Sequence, residues 1–379
     1  MKRFYVTAAI AASLLATGCQ KTYVIDEVRT PIGFSTEVGK QTKAIVNNDP
    51  DNPGAYPDGQ PFGVFAYGVT GTDTDGAWSS SFVIDNKNTV MDNVQITKET
   101  GVWKAKAGTY YWPNDSHTTL SFFAYSPYSV AASTESGVTA ADMGVTPTFS
   151  AANGIQLTNY VHKDYKGAKA VDFMVAETLD QKYNANSTTN GEVSIKFVHR
   201  MSQIIFKVAK AAGLGNGIEM KLQSLEMLSI NNKADYKDKV TSGETTAPQW
   251  VCATGSTTKY PVFQYSSTDP QVEEMDITET GCDLDAVTMI PQTLVGGQTP
   301  QQQVKIVYTI SGSGLANETV TKTFKLYTDG LSSWGANQKI TYKITIGMNQ
   351  ITFKPTVADW AEYDSSTSEE GNNPVDIAI

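Results

Sequence analysis

The chain has 379 residues, 40% hydrophobic and 18% charged, where an average soluble protein carries roughly 25% charge. Its net charge of −10 argues against a nucleic-acid partner, because phosphate binding needs a basic face. The stretch from Cys19 to Ile379 is long enough for two domains of ordinary size, and the Thr, Ser, Gly, Asn and Tyr content suits an extracellular β-protein.

The first elements are targeting signals. Lys2 and Arg3 form a basic n-region, and Phe4 to Ala16 an apolar h-region. That run falls short of the roughly 20 residues a bilayer span needs. Leu15-Ala16-Thr17-Gly18-Cys19 follows. Small residues before a cysteine make a signal-peptidase site, and the leucine four positions ahead makes this stretch resemble a bacterial lipobox. The expectation is export, cleavage after residue 18, lipidation of Cys19 and a membrane tether. No later segment is apolar enough to span a membrane.

Asn47 to Pro61, "NNDPDNPGAYPDGQP", is turn-rich and reads as an exposed loop. Phe62 to Tyr67 and Leu120 to Tyr125 read as strands. Tyr183 to Gly191, "YNANSTTNG", is a polar break of the kind that separates domains. It divides the chain into an N-terminal domain, 19–188, and a C-terminal domain, 189–360. Clear alternation begins after the break. Val193, Ile195 and Phe197 face one way, Ser194 and Lys196 the other. Ile204, Phe206 and Val208 follow. Ile218, Met220 and Leu222 alternate, and then the phase slips to Leu225 and Met227, which predicts a β-bulge or a strand bend. Val304, Ile306, Tyr308 and Ile310 form another set. The longest is Ile340, Tyr342, Ile344, Ile346 and Met348. A dry face alternating with a wet face is the pattern of sandwich strands. No long stretch has helical period with clear caps, so the fold class is all-β. The tail, 361–379, runs through a polar, acidic stretch to Val375, Ile377 and Ile379, which alternate again.

Little in the chain carries chemistry. His117, His162 and His199 have no metal-ligand spacing with each other or with cysteine. His199 shares a face with Phe197 and reads as a packed, hydrogen-bonded core residue. There is no G-x-S-x-G elbow, H-E-x-x-H or P-loop. Glu273-Glu274 and Glu369-Glu370 read as solvated surface, and "DPDNPGAYPDG" lacks the spacing of an EF-hand. Tyr110-Tyr111-Trp112 and Phe122-Phe123 are strand core, or sugar-stacking platforms if exposed. Cys252 and Cys282 could pair in an oxidising compartment or remain separate thiols, since the distance between their Cα atoms decides. No enzyme activity, cofactor or metal is expected.

Four segments occur in order: "YYWPNDSHTTLSFFAYSPYS" (110–129), "FVHRMSQIIFKV" (197–208), "MIPQTL" (289–294) and "LSSWGANQKITYKITI" (331–346). With the lipobox, they resemble the fimbrillin family of Bacteroidetes, the Mfa-like and FimA-like pilins, over roughly Ile32 to Trp360. The resemblance implies two transthyretin-like Greek-key β-sandwich domains. It implies a pilus subunit at the outer membrane and cell surface, made as a lipoprotein and contributing to adhesion to host or bacterial surface ligands. It also implies assembly. A trypsin-like protease cuts near the N-terminus and removes the first strand. A C-terminal strand of another pilin subunit then fills the gap by donor-strand exchange, a form of β-strand addition. Val375, Ile377 and Ile379 are the candidate donor. "YVIDEV" (23–28) and "IGFS" (32–35) are candidates for the removed strand. Lys43 stands where relatives often have an arginine before alanine, and Arg29 is the other candidate cut. The removable segment then runs to about residue 43. The alternative function is a monomeric surface lipoprotein that binds glycans or host ligands through exposed Trp78, Trp103 or Trp112.

Overall fold

The structure is a computed structural model that describes residues 30–38, 56–130, 143–167, 170–183, 191–214, 217–242, 245–266, 274–297, 301–312, 314–348 and 350–360. Every regular element among them is a strand. β-Branched and aromatic residues supply the alternating faces that make them so.

The first half contributes β1 (Gly33–Val38), β2 (Phe62–Thr70), β3 (Thr89–Glu99), β4 (Val102–Ala105), β5 (Thr118–Ser126), β6 (Thr148–Ser150), β7 (Gly154–Val161), β8 (Met174–Gln181) and β9 (Glu192–His199). Seven of these close on themselves in the order β1, β4, β3, β2, β5, β8, β9. Closure depends on β1, which runs parallel to β9 and antiparallel to β4. The strands expected to form the N-terminal sandwich thus close on themselves, and closure removes the free edges on which strands aggregate. Phe34, Phe62, Trp103, Phe122 and Phe197 fill its interior.

The second half adds β10 (Ser202–Lys210), β11 (Glu219–Asn231), β12 (Lys233–Ser242), β13 (Thr245–Cys252), β14 (Thr257–Gln264), β15 (Met275–Asp276), β16 (Cys282–Asp283), β17 (Val287–Met289), β18 (Gln292–Thr293), β19 (Gln303–Gly312), β20 (Leu315–Lys325), β21 (Ser333–Trp334), β22 (Gln338–Ile346) and β23 (Ile351–Asp359). One sheet has the order β16, β10, β22, β23, with β17 also on β10. The other has the order β14, β11, β19, β20, with β15 also on β11. Both sheets contribute to one apolar core. The alternating sets read from sequence line it: Phe206, Val304, Ile306, Ile340, Tyr342 and Ile344 are buried. Phe206, Tyr342, Phe353 and Phe324 form a ladder of rings stacked 5.4, 5.1 and 5.2 Å apart. The phase slip in β11 is a register shift between Leu222 and Ser224 against β19. Met348, read as the end of its alternating set, lies past β22 and is exposed.

A third sheet, β13-β12-β7-β6, joins the two halves. β12 follows β11 after one residue and pairs with β7. Its Tyr236 and Ala234 pack with Phe65 and Phe123, which point outward from the barrel.

Two expectations change here. β9, read as the opening strand of the second domain, pairs with β8 and β1 and belongs to the barrel. Sheet membership passes to the second unit at Arg200. Tyr56, read as part of an exposed loop, is buried and stacks on Phe197 at 4.9 Å. An aromatic ring at that end of the barrel gains more from burial than from water.

Candidate assembly groove

β1 is short, lies first in the barrel and is held unequally by its two neighbours. Against β9 it pairs over six residues, from Gly33 opposite Glu192 to Val38 opposite Phe197. Against β4 it has one pair, Phe34 opposite Trp103. Just ahead of β1, the Ile32 N–H donates to the Tyr110 carbonyl at 2.8 Å, and the Trp112 N–H donates to the Thr30 carbonyl at 3.0 Å. Pro31 bridges Tyr111 between them.

Alternation decides what β1 buries. Ile32, Phe34 and Val38 are buried, and Thr36 on the same face is half-buried. The Phe34 ring stands edge-on to Phe62 and Phe122, with centroids 6.0 and 5.9 Å away. Burying these three apolar side chains contributes roughly 5–9 kcal/mol in area terms, an upper bound given a compact unfolded chain. On the outer face, Glu37 lies 3.3 Å from Lys196. Both are exposed, so this pair adds little.

The mouth of the groove is aromatic. Trp112 is buried and donates its indole N–H to the Gly191 carbonyl at 3.1 Å. Gly191 has φ +76°, and a Cβ there would meet the Tyr183 ring at 2.7 Å, so the turn into β9 needs glycine. Tyr111 and Tyr183 are exposed beside it.

The other end of the barrel is polar and closed. The Tyr56 hydroxyl pairs with Ser126 Oγ at 2.7 Å. Burial pushes the Tyr56 phenol well up, and the charge of Asp172 adds to this. His199 Nδ1 lies 2.9 Å from Asp172 Oδ1, so it carries the proton toward the carboxylate. The imidazole stacks on Trp360. His199 is thus the packed core residue expected from its place on the strand. His162 ties the third sheet to the second unit. Its Nε2 donates to the Thr288 carbonyl at 2.7 Å, and its Nδ1 accepts from the Tyr160 hydroxyl at 2.8 Å. Burial pushes its pKa down to about 4.

The remaining sequence candidates fall as follows. Cys252 and Cys282 lie in different cores. Cys282 donates to the Val208 carbonyl at 3.3 Å, and burial pushes the Cys252 thiol up to about 11. Trp103 and Trp112, offered as sugar platforms, line the barrel interior, and Trp78 is half-buried against Phe82 and Phe123. Among the described residues no cluster of His, Cys, Asp or Glu could hold a metal ion. Cys19, Arg29, Lys43, Val375, Ile377 and Ile379 lie outside the described residues. β1 itself lies between Arg29 and Lys43 in sequence, and sequence reasoning could not choose between it and residues 23–28 as the removable strand.

A fimbrial protein from Bacteroides vulgatus ATCC 8482 superposes with a TM-score of 0.53 at 21% identity, covering 87% of this chain and 100% of that one. A candidate cell-adhesion protein from Bacteroides uniformis ATCC 8492 is 17% identical with a TM-score of 0.47, covering 88% of this chain and 99% of that one. The chain belongs to the fimbrillin-like family, whose model matches residues 42–360. None of the curated proteins matches. Membership supports a role as a pilus subunit at the cell surface, a structural rather than an enzymatic one.

Proposed function

We propose that this chain is a structural subunit of a cell-surface pilus, assembled when a protease removes β1 and a donor strand takes its place. The observation that carries this reading is the position of β1. It closes the barrel, runs parallel to β9, and has one paired residue on its β4 side. It also precedes the stretch that matches the family, which begins at residue 42.

In this reading Cys19 carries the lipid that holds the precursor at the outer membrane. A cut after Arg29 leaves β1 joined to the barrel. A cut after Lys43 separates it, so Lys43 is the productive site and the protease accepts lysine. Loss of β1 exposes the pocket around Phe62 and Phe122 and a row of unpaired β9 backbone groups, both costly in water. Val375, Ile377 and Ile379 of another subunit offer alternate apolar side chains and a new ladder.

Low-dose trypsin on the purified chain tests this. One early clip at Lys43, followed by a ladder of multimers, is expected. Replacing Lys43 together with the nearby Lys40 by alanine abolishes both, and Arg29→Ala neither. Deleting Pro374 to Ile379 removes the ladder but not the clip. Clipped protein that stays monomeric with its tail intact excludes the shaft role.

A further inference from the structure

The strand that leaves and the strand proposed to replace it share a pattern. Residues 31–36 read Pro-Ile-Gly-Phe-Ser-Thr, and residues 374–379 read Pro-Val-Asp-Ile-Ala-Ile. We infer that the tail of a second copy enters the groove in one register, with Pro374 in the place of Pro31. This deepens the donor-strand reading above and rests on it.

Backbone hydrogen bonding selects the register. Thr30 and Ile32 bond to Trp112 and Tyr110 on one side of the strand. Successive residues of a strand point their N–H groups to opposite sides. Residue 31 therefore points toward β9, ahead of the first paired residue there, Gly33 opposite Glu192. A proline at 31 costs no ladder bond, which is where sheets tolerate proline. A shift of two residues puts Pro374 at Gly33. That deletes a donor to β9, since proline has no N–H to give to the ladder. A shift of one residue turns Asp376 and Ala378 inward and the isoleucines outward.

The register assigns each pocket. Val375 takes the place of Ile32, and Ile379 that of Thr36. Ile377 enters the site of Phe34, between Phe62 and Phe122, and fills it less completely than the ring it replaces. Asp376 comes to lie beside Glu192, a like-charge pair that destabilises cross-strand contact. The groove thus accepts this tail with one underfilled pocket and one repulsive pair, and both leave a measurable signature.

The test mixes two full-length variants before low-dose trypsin. One carries Asp376→Cys and the other carries Glu192→Cys or Ser194→Cys. Only contacts between chains can then form the disulfide, which is identified by mass spectrometry of the multimers. Crosslinking to position 192 and not 194 supports the register. Crosslinking to 194 overturns it while donor exchange stands. Multimers without either crosslink overturn this register as well. No multimers at all defeats the donor-strand reading and this inference with it. Two further variants read the same register. Ile377→Phe raises the denaturant midpoint of the multimer, whereas Val375→Phe doing so instead points to the shifted register. Glu192→Lys raises multimer yield at low salt, and the gain disappears with Asp376→Asn. Indifference to Glu192→Lys overturns the assignment.

Discussion

The imidazole of His199 and the indole of Trp360 lie face to face, 4.1 Å apart and within 1° of parallel. His199 ends β9 in the barrel, and Trp360 follows the last strand of the second unit. The Trp360 backbone N–H donates to the Asn337 carbonyl at 2.7 Å, and Asp172 holds Nδ1 of the imidazole. One stack therefore fastens the second unit to the end of the barrel strand that carries β1.

Trp360→Ala removes a fully buried ring and is expected to cost about 3–5 kcal/mol. Trp360→Phe keeps an aromatic face on His199 and costs less. Urea unfolding at neutral pH measures both. Equal losses for the two variants show that an aromatic face on His199 contributes nothing.

His162 makes the fold sensitive to acid. Its pKa is about 4 when folded, against 6.5 for an ordinary histidine. The unfolded chain therefore takes up the proton first as pH falls. The contribution is whole above about pH 6.5 and is lost as pH falls toward 4, by about 3 kcal/mol over that window. Thermal melts from pH 7 to 4 track it, and His162→Gln should flatten the profile. A variant that declines as steeply as the parent assigns the sensitivity to other groups.

Phe34 governs how long β1 stays. Phe34→Ala empties the pocket between Phe62 and Phe122 and weakens the barrel by about 3–5 kcal/mol. After the chain is cut behind β1, the N-terminal fragment of this variant should leave faster than that of the parent. Size-exclusion chromatography with mass detection follows its release. Unchanged release means that the backbone ladder to β9, rather than the pocket, holds the strand.

Arg200 sits where the chain passes from barrel to second unit. Its Nε donates to Asp238 Oδ1 and to the Tyr236 hydroxyl, each at 3.0 Å, and its backbone carbonyl accepts from the Trp250 indole at 2.7 Å. Asp238→Ala leaves a largely buried guanidinium without its carboxylate and should cost about 3–5 kcal/mol. Adding Arg200→Met should recover much of that loss. A double variant no more stable than Asp238→Ala rules out the stranded charge as the cause.

Local pattern determined a good deal of this protein. Period-two alternation identified Val193 to Phe197, Ile204 to Val208 and Ile340 to Ile346 as strands with one dry face, because a strand's two faces are set by neighbouring residues alone. The slip after Leu222 announced its bulge for the same reason. The four family segments pointed to a fimbrillin from residues close together in the chain. Tertiary structure decided what depends on distant partners. It placed β9 in the barrel by pairing it with β1, some 160 residues earlier. It turned Tyr56 from loop to core by offering the Phe197 ring, kept Cys252 and Cys282 in separate cores, and laid β12 and β13 over the barrel. Above all it showed that residues 33–38 close a barrel. A strand's apolar face can be read from its own side chains, but its neighbours cannot, since pairing free energy comes from backbone groups that every sequence shares.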